Sequence, residues 1–152
     1  MNARPTSTVS TELELSLLVP GGRSLAVPAE VQYDSRDPYA VRVAFHTGVD
    51  RADLDGSGEI VEWTFARQLL SDGVARPVGE GDVHVWPAQE GQGPVVWLSL
   101  SSPSGTALFE MPLAGLVKFL GRTYAAVPTG CESEFVDLDA ELALLLWTGA
   151  AE

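Results

Sequence analysis

Residues 27–67 read VPAEVQYDSRDPYAVRVAFHTGVDRADLDGSGEIVEWTFAR, the most informative segment of the chain. Apolar and polar residues alternate in three parts of it, 27–34, 41–46 and 60–65. A period of two places one apolar face of each strand against a core. Between the first two parts lies DSRDPY, in which Asp and Ser side chains bend the backbone and proline fixes φ. The stretch therefore predicts three strands, joined by a turn and then by a polar loop over 49–59.

The sequence on the N-terminal side continues this pattern. Residues 9–19 alternate as a half-exposed strand, and Pro20, Gly21 and Gly22 predict a turn into the next strand. Residues 1–8 lack such alternation and are expected to be a disordered lead-in.

The sequence on the C-terminal side adds strands and then helices. Residues 66–72 predict a short helix ended by Gly73. Residues 79–112 predict three successive strands, with turns at AQEGQG and SPSG. A helix is expected to begin at Pro112, and a last helix from Asp137 to about Trp147. Strands followed by helices indicate an α+β fold, an antiparallel β-sheet meander with C-terminal helices. The expected core stripe of the first long helix is Leu113, Leu116, Val117 and Leu120.

Size and charge narrow the functional classes. The chain has 152 residues, a net charge of −12 and one cysteine, Cys131. Its length predicts one domain over 9–148, with 149–152 as a tail. The negative charge opposes binding to nucleic acid and to anionic membranes, because both depend on lysine and arginine. No apolar run approaches the roughly 20 residues that span a bilayer. We therefore expect a cytoplasmic protein with no direct membrane insertion, whose partners are other proteins.

The loop DLDGSGEI carries the sharpest local motif. Asp53, Asp55 and Ser57 alternate as in the start of a calcium-binding loop, and Gly58 stands at the sixth position. The twelfth position is Thr64, where a bidentate glutamate is required, and the flanking segments read as strands. We therefore predict an acidic hairpin loop and no metal site.

Residues capable of catalysis are few and scattered. His46 and His84 have no metal-binding spacing, and Cys131 lies in a connector with no histidine nearby in sequence. Residues 79–84 lack the third glycine of a dinucleotide fingerprint, and the sequence contains no P-loop. We predict that the protein is not an enzyme and that it needs no cofactor.

Aromatic and leucine-rich segments offer two interpretations each. Tryptophans can stack on bases, but core packing is favoured for Trp63, Trp86, Trp97 and Trp147 because no basic groove accompanies them. The predicted last helix is apolar around most of its surface, so it is either deeply buried or contacts another chain. The candidate oligomer or partner interface comprises Leu142, Leu145, Leu146 and Trp147.

The motifs taken together resemble one family. The segments 27–48, VEWTFARQLL, GDVHVWP, LSLSSPSGTALFE and FVDLDAEL are similar to the SsgA-like sporulation and cell division proteins of actinomycetes, and within them to the SsgB type. The resemblance covers about residues 8–145. The acidic insert over 49–58 and the tail after Leu145 depart from the family pattern.

The resemblance implies a fold, a function and partners. Family members form trimeric α+β assemblies similar to the whirly and guide-RNA-binding proteins. They are not enzymes; they localise to sporulation septa, where SsgB-like members act with SsgA to recruit and position the FtsZ ring. The resemblance therefore implies FtsZ, an SsgA-like protein and further copies of this chain as partners. The alternative is a single-stranded nucleic-acid-binding protein on a whirly-like scaffold, which the charge opposes.

Overall fold

The computed structural model describes residues 6–47, 59–90 and 93–136. These residues form eight strands, two α-helices and one short 3₁₀ helix. In chain order they are β1 (Thr8–Val19), β2 (Arg23–Asp34), β3 (Ala40–Thr47), β4 (Glu59–Ala66), α1 (Arg67–Gly73), β5 (Val78–Glu80), β6 (Val83–Glu90), β7 (Gly93–Ser102), β8 (Gly105–Pro112), α2 (Leu113–Ala126) and the 3₁₀ helix Glu132–Phe135.

The strands form one antiparallel sheet in the order β4-β3-β2-β1-β8-β7-β6-β5. Two meanders, β1 to β4 and β5 to β8, meet where β1 pairs with β8. The longest hairpin, β1–β2, pairs over the full length of both strands. Gly21 and Gly22 take φ values of +94° and +76° in its turn, which glycine adopts without steric cost.

The sheet curls around its own core. Phe45 on β3 and Phe109 on β8 stack with ring centroids 4.5 Å apart, although β2 and β1 lie between their strands. A flat sheet would separate these strands by three spacings of about 4.8 Å each. The short distance therefore requires a strongly curved sheet whose concave face holds the core, as in a half-barrel.

Two helices cover the concave side. In α2 the buried face consists of Leu116, Phe119, Leu120 and Thr123. Helix α1 packs against β6 so closely that a Cβ on Gly73 would lie 2.2 Å from Val85 Cγ1. Because α1 also contacts β4 and β5, it links the two outermost strands of the sheet.

Most predicted elements are confirmed, and so is the α+β class with its antiparallel sheet. The turn after β2 forms as expected: Asp34 Oδ1 accepts the Arg36 N–H at 2.8 Å, and Asp34 O accepts the Asp37 N–H at 2.9 Å. The three-residue strand β5 was not predicted, because it is too short to show a period of two.

Some details of the sequence interpretation were wrong. Val117 is 47% exposed, and Phe119, which was not assigned to the apolar stripe, is buried in its place. The missing N–H of proline predicts a strand end at Pro87, but Pro87 lies within β6. Because β5 is too short to reach it, this part of β6 pairs only with β7. The predicted helix 137–147, the tail 149–152 and most of the expected lead-in lie outside the described residues.

Candidate functional site

An apolar cavity opens at one end of the half-barrel. Its volume is about 340 Å³, and it lies between the β3–β4 hairpin and the β7–β8 turn. Leu17, Phe45 and Phe109 reach it from the core side. The half-buried side chain of Trp63, on β4, also packs against the core. The other lining residues are Val61, Leu100, Ser102, Ser104, Gly105, Thr106 and Ala107.

The chemistry of this cavity is that of a binding site. Among the described residues that line it, none carries a carboxylate, imidazole, thiol or amine. Serine hydroxyls occur on the turn side, where Ser102 Oγ lies 2.9 Å from Ser104 Oγ. Such a lining can accept apolar side chains, with hydroxyls to orient them, but it offers no nucleophile paired with a base.

Strand β4 forms an open edge beside the cavity. Within the described residues it pairs with β3 alone. The pairing is continuous from Ala40↔Ala66 to Thr47↔Glu59, with no bulge. An open edge presents backbone N–H and C=O groups that another strand can bind. Ile60 and Val61, which point to opposite faces of the strand, are 55% and 38% exposed.

Carboxylates lie on the outer, convex face next to this edge. Glu12 is opposite Glu30, Glu30 is opposite Ala44, and Ala44 is opposite Glu62, so one row crosses four strands. Like charges directly opposite each other destabilise a sheet. Gln32 donates a hydrogen bond to Glu30 but adds no positive charge. One basic residue, Arg42, lies beside the row, opposite Gln32 and Thr64, but the three carboxylates of the row outnumber it.

A buried arginine ties the end of β4 to the C-terminal part of the domain. Arg67 is 1% exposed. Its guanidinium lies 4.8 Å from the ring centroid of Tyr33 and 4.1 Å from that of Tyr124. It donates hydrogen bonds to the carbonyls of Thr123 at 3.1 Å and Val127 at 2.9 Å. Planarity lets Arg stack between rings and bind acceptors at its rim; the buried arginine was not predicted from the sequence.

The same guanidinium holds the start of the 3₁₀ helix. Arg67 Nη2 lies 3.1 Å from Glu132 Oε2, and Glu132 Oε1 accepts the Gly130 N–H at 2.8 Å. The backbone N–H of Glu132 itself, the Arg67 guanidinium and the Gly130 N–H hold the pKa of the Glu132 carboxyl below its usual value.

Tyr33 is the second ionisable group of this cluster. Its hydroxyl donates a 2.9 Å hydrogen bond to the Pro38 carbonyl. Burial raises the pKa of Tyr33 to about 12, against a smaller lowering by the Arg67 charge. The cluster therefore connects β2, the β4–α1 junction, α2 and the 3₁₀ helix, and it serves to fix these elements.

The residues considered for catalysis are not brought together. His46 and His84 lie on the convex face, on β3 and β6, and are separated in the sheet by the intervening strands. Cys131 is half-buried and directly precedes the 3₁₀ helix. In residues 6–47, 59–90 and 93–136, no group of three or more His, Cys, Asp or Glu side chains is arranged to hold a metal ion. The calcium-like residues Asp53, Asp55 and Ser57 lie outside these ranges.

The tryptophans divide into two environments. Trp63 packs against the core as expected. Trp86 and Trp97 are directly opposite each other on β6 and β7, on the convex face, so the expected core packing was wrong for this pair. Both alternate with core residues, Val85 and Leu98, which the strand register could have indicated. Trp147 and the predicted interface residues Leu142, Leu145 and Leu146 lie outside the described part of the chain.

None of the helices in residues 6–47, 59–90 and 93–136 is long and apolar enough to cross a membrane.

Comparison with known proteins identifies relatives along nearly the whole chain. Residues 27–132 match the family model described as Streptomyces sporulation and cell division protein, SsgA. The sporulation-specific cell division protein SsgB of Frankia casuarinae is 58% identical over 93% of this chain and 94% of its own length. The protein of the same name from Streptomyces coelicolor is 52% identical over 92% of this chain and 96% of its own length.

Two solved structures share the fold. One, from work that correlates mutations in SsgB with longitudinal cell division during sporulation of Streptomyces coelicolor, is 48% identical, with a TM-score of 0.78. The match covers 88% of this chain and 99% of the chain in that structure. The other is an SsgA-like sporulation-specific cell division protein from Thermobifida fusca. It is 45% identical, also with a TM-score of 0.78, and the match covers 90% of this chain and 94% of the chain in that structure.

Proposed function

This chain belongs to the SsgA family of sporulation and cell division proteins, and we propose that it is a non-enzymatic adaptor of sporulation septation. It acts in the cytoplasm at the division septum, where it recruits and positions the FtsZ ring together with an SsgA-like protein. It needs no cofactor, binds no nucleic acid and does not insert into the membrane.

The observation that carries this proposal is the combination of an open strand edge and a cavity without catalytic groups. The edge and the cavity lie together on β4. They offer hydrogen-bonding and apolar contacts to a polypeptide, whereas the described cavity lining offers no acid, base or nucleophile. A net charge of −12 also favours basic protein surfaces over phosphate backbones.

We further propose that the protein works as a homotrimer on a whirly-like scaffold, with Leu142, Leu145, Leu146 and Trp147 at the interface between copies. Several identical binding surfaces in one assembly would engage neighbouring subunits of an FtsZ filament. Such multivalency strengthens weak contacts by about 10²–10⁴-fold without any new contact.

Sedimentation with FtsZ filaments tests the recruiting role. Purified protein is mixed with FtsZ and GTP, with and without an SsgA-like protein, and the filaments are pelleted. Samples with GDP, in which filaments do not assemble, provide the control. We expect the protein in the pellet only with filaments. A protein that stays in the supernatant in every mixture would refute direct recruitment.

A further inference from the structure

We propose that the open edge of β4 binds an extended segment of a partner protein as an added antiparallel or parallel strand, and that apolar residues alternate with lysine or arginine in this segment. The inference deepens the proposed function, because it describes how the adaptor holds a partner. It depends on the geometry of β4 and on its charge.

Between Ile60 and Thr64, β4 has three residues whose hydrogen-bonding groups face away from β3. Arg67 N–H donates a 2.8 Å bond to the Tyr39 carbonyl, so this position is a hydrogen-bonded pair in the register of β3 and β4. In an antiparallel ladder such pairs alternate with pairs that point outward. The N–H and C=O groups of Ile60, Glu62 and Thr64 therefore point to the open edge. An added strand would bind these groups.

The side chains of β4 are suited to a strand that continues the sheet. Val61 and Trp63 point to the concave side and line the cavity, while Ile60 and Glu62 point to the convex side. Residues of an added strand that lie beside Val61 and Trp63 would extend the apolar face and close over the cavity. In strand addition, main-chain bonds provide affinity, and pockets for alternate side chains provide specificity. Apolar residues at every second position of the ligand follow from this arrangement.

Charge determines what the remaining positions of the ligand carry. Side chains between the apolar ones would lie on the convex face beside Glu62, which is exposed and continues the row of Glu12 and Glu30. Lysine or arginine beside Glu62 would be attracted to this row, whereas the position beside Thr64 also lies near Arg42. A second copy of the chain that pairs through its own β4 is disfavoured as the occupant of this edge, because it would bring another Glu62 beside the first. A basic, extended partner segment is favoured for the same reason.

A synthetic peptide tests the edge directly. The probe is a fluorescein-labelled nine-residue peptide of alternating valine and lysine, titrated with the full-length protein and followed by fluorescence anisotropy. Two control peptides carry glutamate in place of lysine, or N-methyl groups on every second residue. We expect the first peptide to bind, and its binding to weaken as the salt concentration rises. Both controls should bind at least about tenfold more weakly, because the glutamate peptide loses the charge attraction and the N-methylated peptide loses the strand hydrogen bonds. Equal binding of the N-methylated peptide would overturn strand addition.

Two variants of β4 and one matched variant of β1 locate the binding. Thr64→Pro removes an outward N–H without removing a bond to β3, a place where edge strands tolerate proline. Glu62→Lys reverses the charge at the edge. Glu14→Lys makes the same charge change on the convex face of β1, away from the edge. We expect at least about fivefold weaker binding for both β4 variants and less than about twofold for Glu14→Lys, because screening limits distant charges. Equal weakening by both lysine variants would overturn the assignment to β4. If Thr64→Pro does not fold, Glu62→Lys and the N-methylated peptide still decide.

Amide hydrogen exchange of the full-length protein distinguishes the occupants. In the free protein the N–H groups of Ile60, Glu62 and Thr64 should exchange rapidly, whereas those of Val61 and Trp63, bonded to β3, should be protected. The peptide should protect the first three. Protection of these three in the free protein would overturn the proposal: if it is independent of concentration, a segment of this chain covers the edge, and if it rises with concentration, a second copy does.

The filament assay separates this inference from the proposed function. If wild-type protein and Thr64→Pro sediment equally with FtsZ filaments and also bind the peptide equally, recruitment stands and binding through the β4 edge is wrong. If the peptide binds the edge but no protein sediments, the edge stands and FtsZ recruitment is wrong.

Discussion

Replacing Arg67 with methionine should test whether the buried cluster at the β4–α1 junction holds the domain together. Methionine is a shorter, unbranched apolar side chain that fills much of the space of the arginine stem, and it removes the charge and all the donors. The substitution leaves the Val127 carbonyl without the hydrogen bond from Arg67. The Thr123 carbonyl keeps a partner, because it also accepts the Val127 N–H at 2.8 Å.

The expected loss of stability follows from these contacts. An unsatisfied buried carbonyl costs about 1–3 kcal/mol, and each guanidinium–ring contact contributes about 0.5–2 kcal/mol. The ion pair with Glu132 contributes less, because Glu132 keeps its bond to the Gly130 N–H. Removing the buried charge also relieves its desolvation cost. We therefore expect a loss of about 3 kcal/mol, near the lower end of the range for breaking a buried charge pair.

Urea unfolding followed by tryptophan fluorescence measures this loss, and thermal unfolding should show a midpoint about 6–12 °C lower. Arg76→Met is the matched control. Arg76 pairs with Asp72 at 3.4 Å with its side chain 66% exposed, and surface pairs of this kind contribute less than about 1 kcal/mol. If Arg67→Met costs no more than Arg76→Met, the cluster does not stabilise the domain and our reading of it is wrong.

Three further predictions concern pH and close packing. Because the pKa of Glu132 is lowered in the folded state, the contribution of this carboxylate to stability is complete above its usual pKa of 4.5 and is lost as the pH falls through the lower folded pKa. Glu132→Gln should therefore be less stable than wild type at neutral pH, and the free energies of unfolding of the two proteins, measured in urea, should converge in acid. Because the pKa of Tyr33 is raised from 10.0 to about 12 in the folded state, the contribution of its neutral hydroxyl to stability should be lost as the pH rises between these two values. An absorbance titration at alkaline pH should show one late-ionising tyrosine, which is missing in Tyr33→Phe. Gly73→Ala should destabilise the protein by about 1–3 kcal/mol, because the new Cβ would lie 2.2 Å from Val85 Cγ1. Gly121→Ala should stabilise it by about 0.5–1 kcal/mol, because the new Cβ meets no neighbouring atom within 4 Å. Equal urea midpoints for the two alanine variants would contradict the packing of α1 against β6.

The strands could be predicted from the sequence because each carries its own evidence. Alternation in β2 and β3 indicates which face is buried, and the residues of the DSRDPY turn bend the chain through local bonds that a single segment can reveal. The α2 stripe was predicted only in part. Val117 and Phe119 are both apolar, and only the position of the sheet under the helix decides which of them is covered.

The candidate site could not be predicted, because it depends on which strands become neighbours. Val61 and Trp63 alternate with Glu62 as they would in a central strand. Their exposure results from the sheet order, which leaves β4 at one end. Likewise, nothing near Arg67 in sequence indicates the two tyrosine rings that enclose it, since Tyr33 and Tyr124 come from β2 and α2.

The buried arginine also fixes the direction of the chain after β4. After β4 the chain must turn at Arg67, whose side chain is held by carbonyls of α2 and by Glu132, and α1 then carries the chain across to β5 and β6. The segment that follows β4 is therefore a helix committed to the opposite end of the sheet, and it is not free to return as a strand beside β4. A cluster that serves stability thus also keeps one strand edge available, so loosening Arg67 should weaken binding of the alternating peptide as well as folding. Weaker folding with unchanged peptide affinity in Arg67→Met would show that the edge is maintained independently of the cluster.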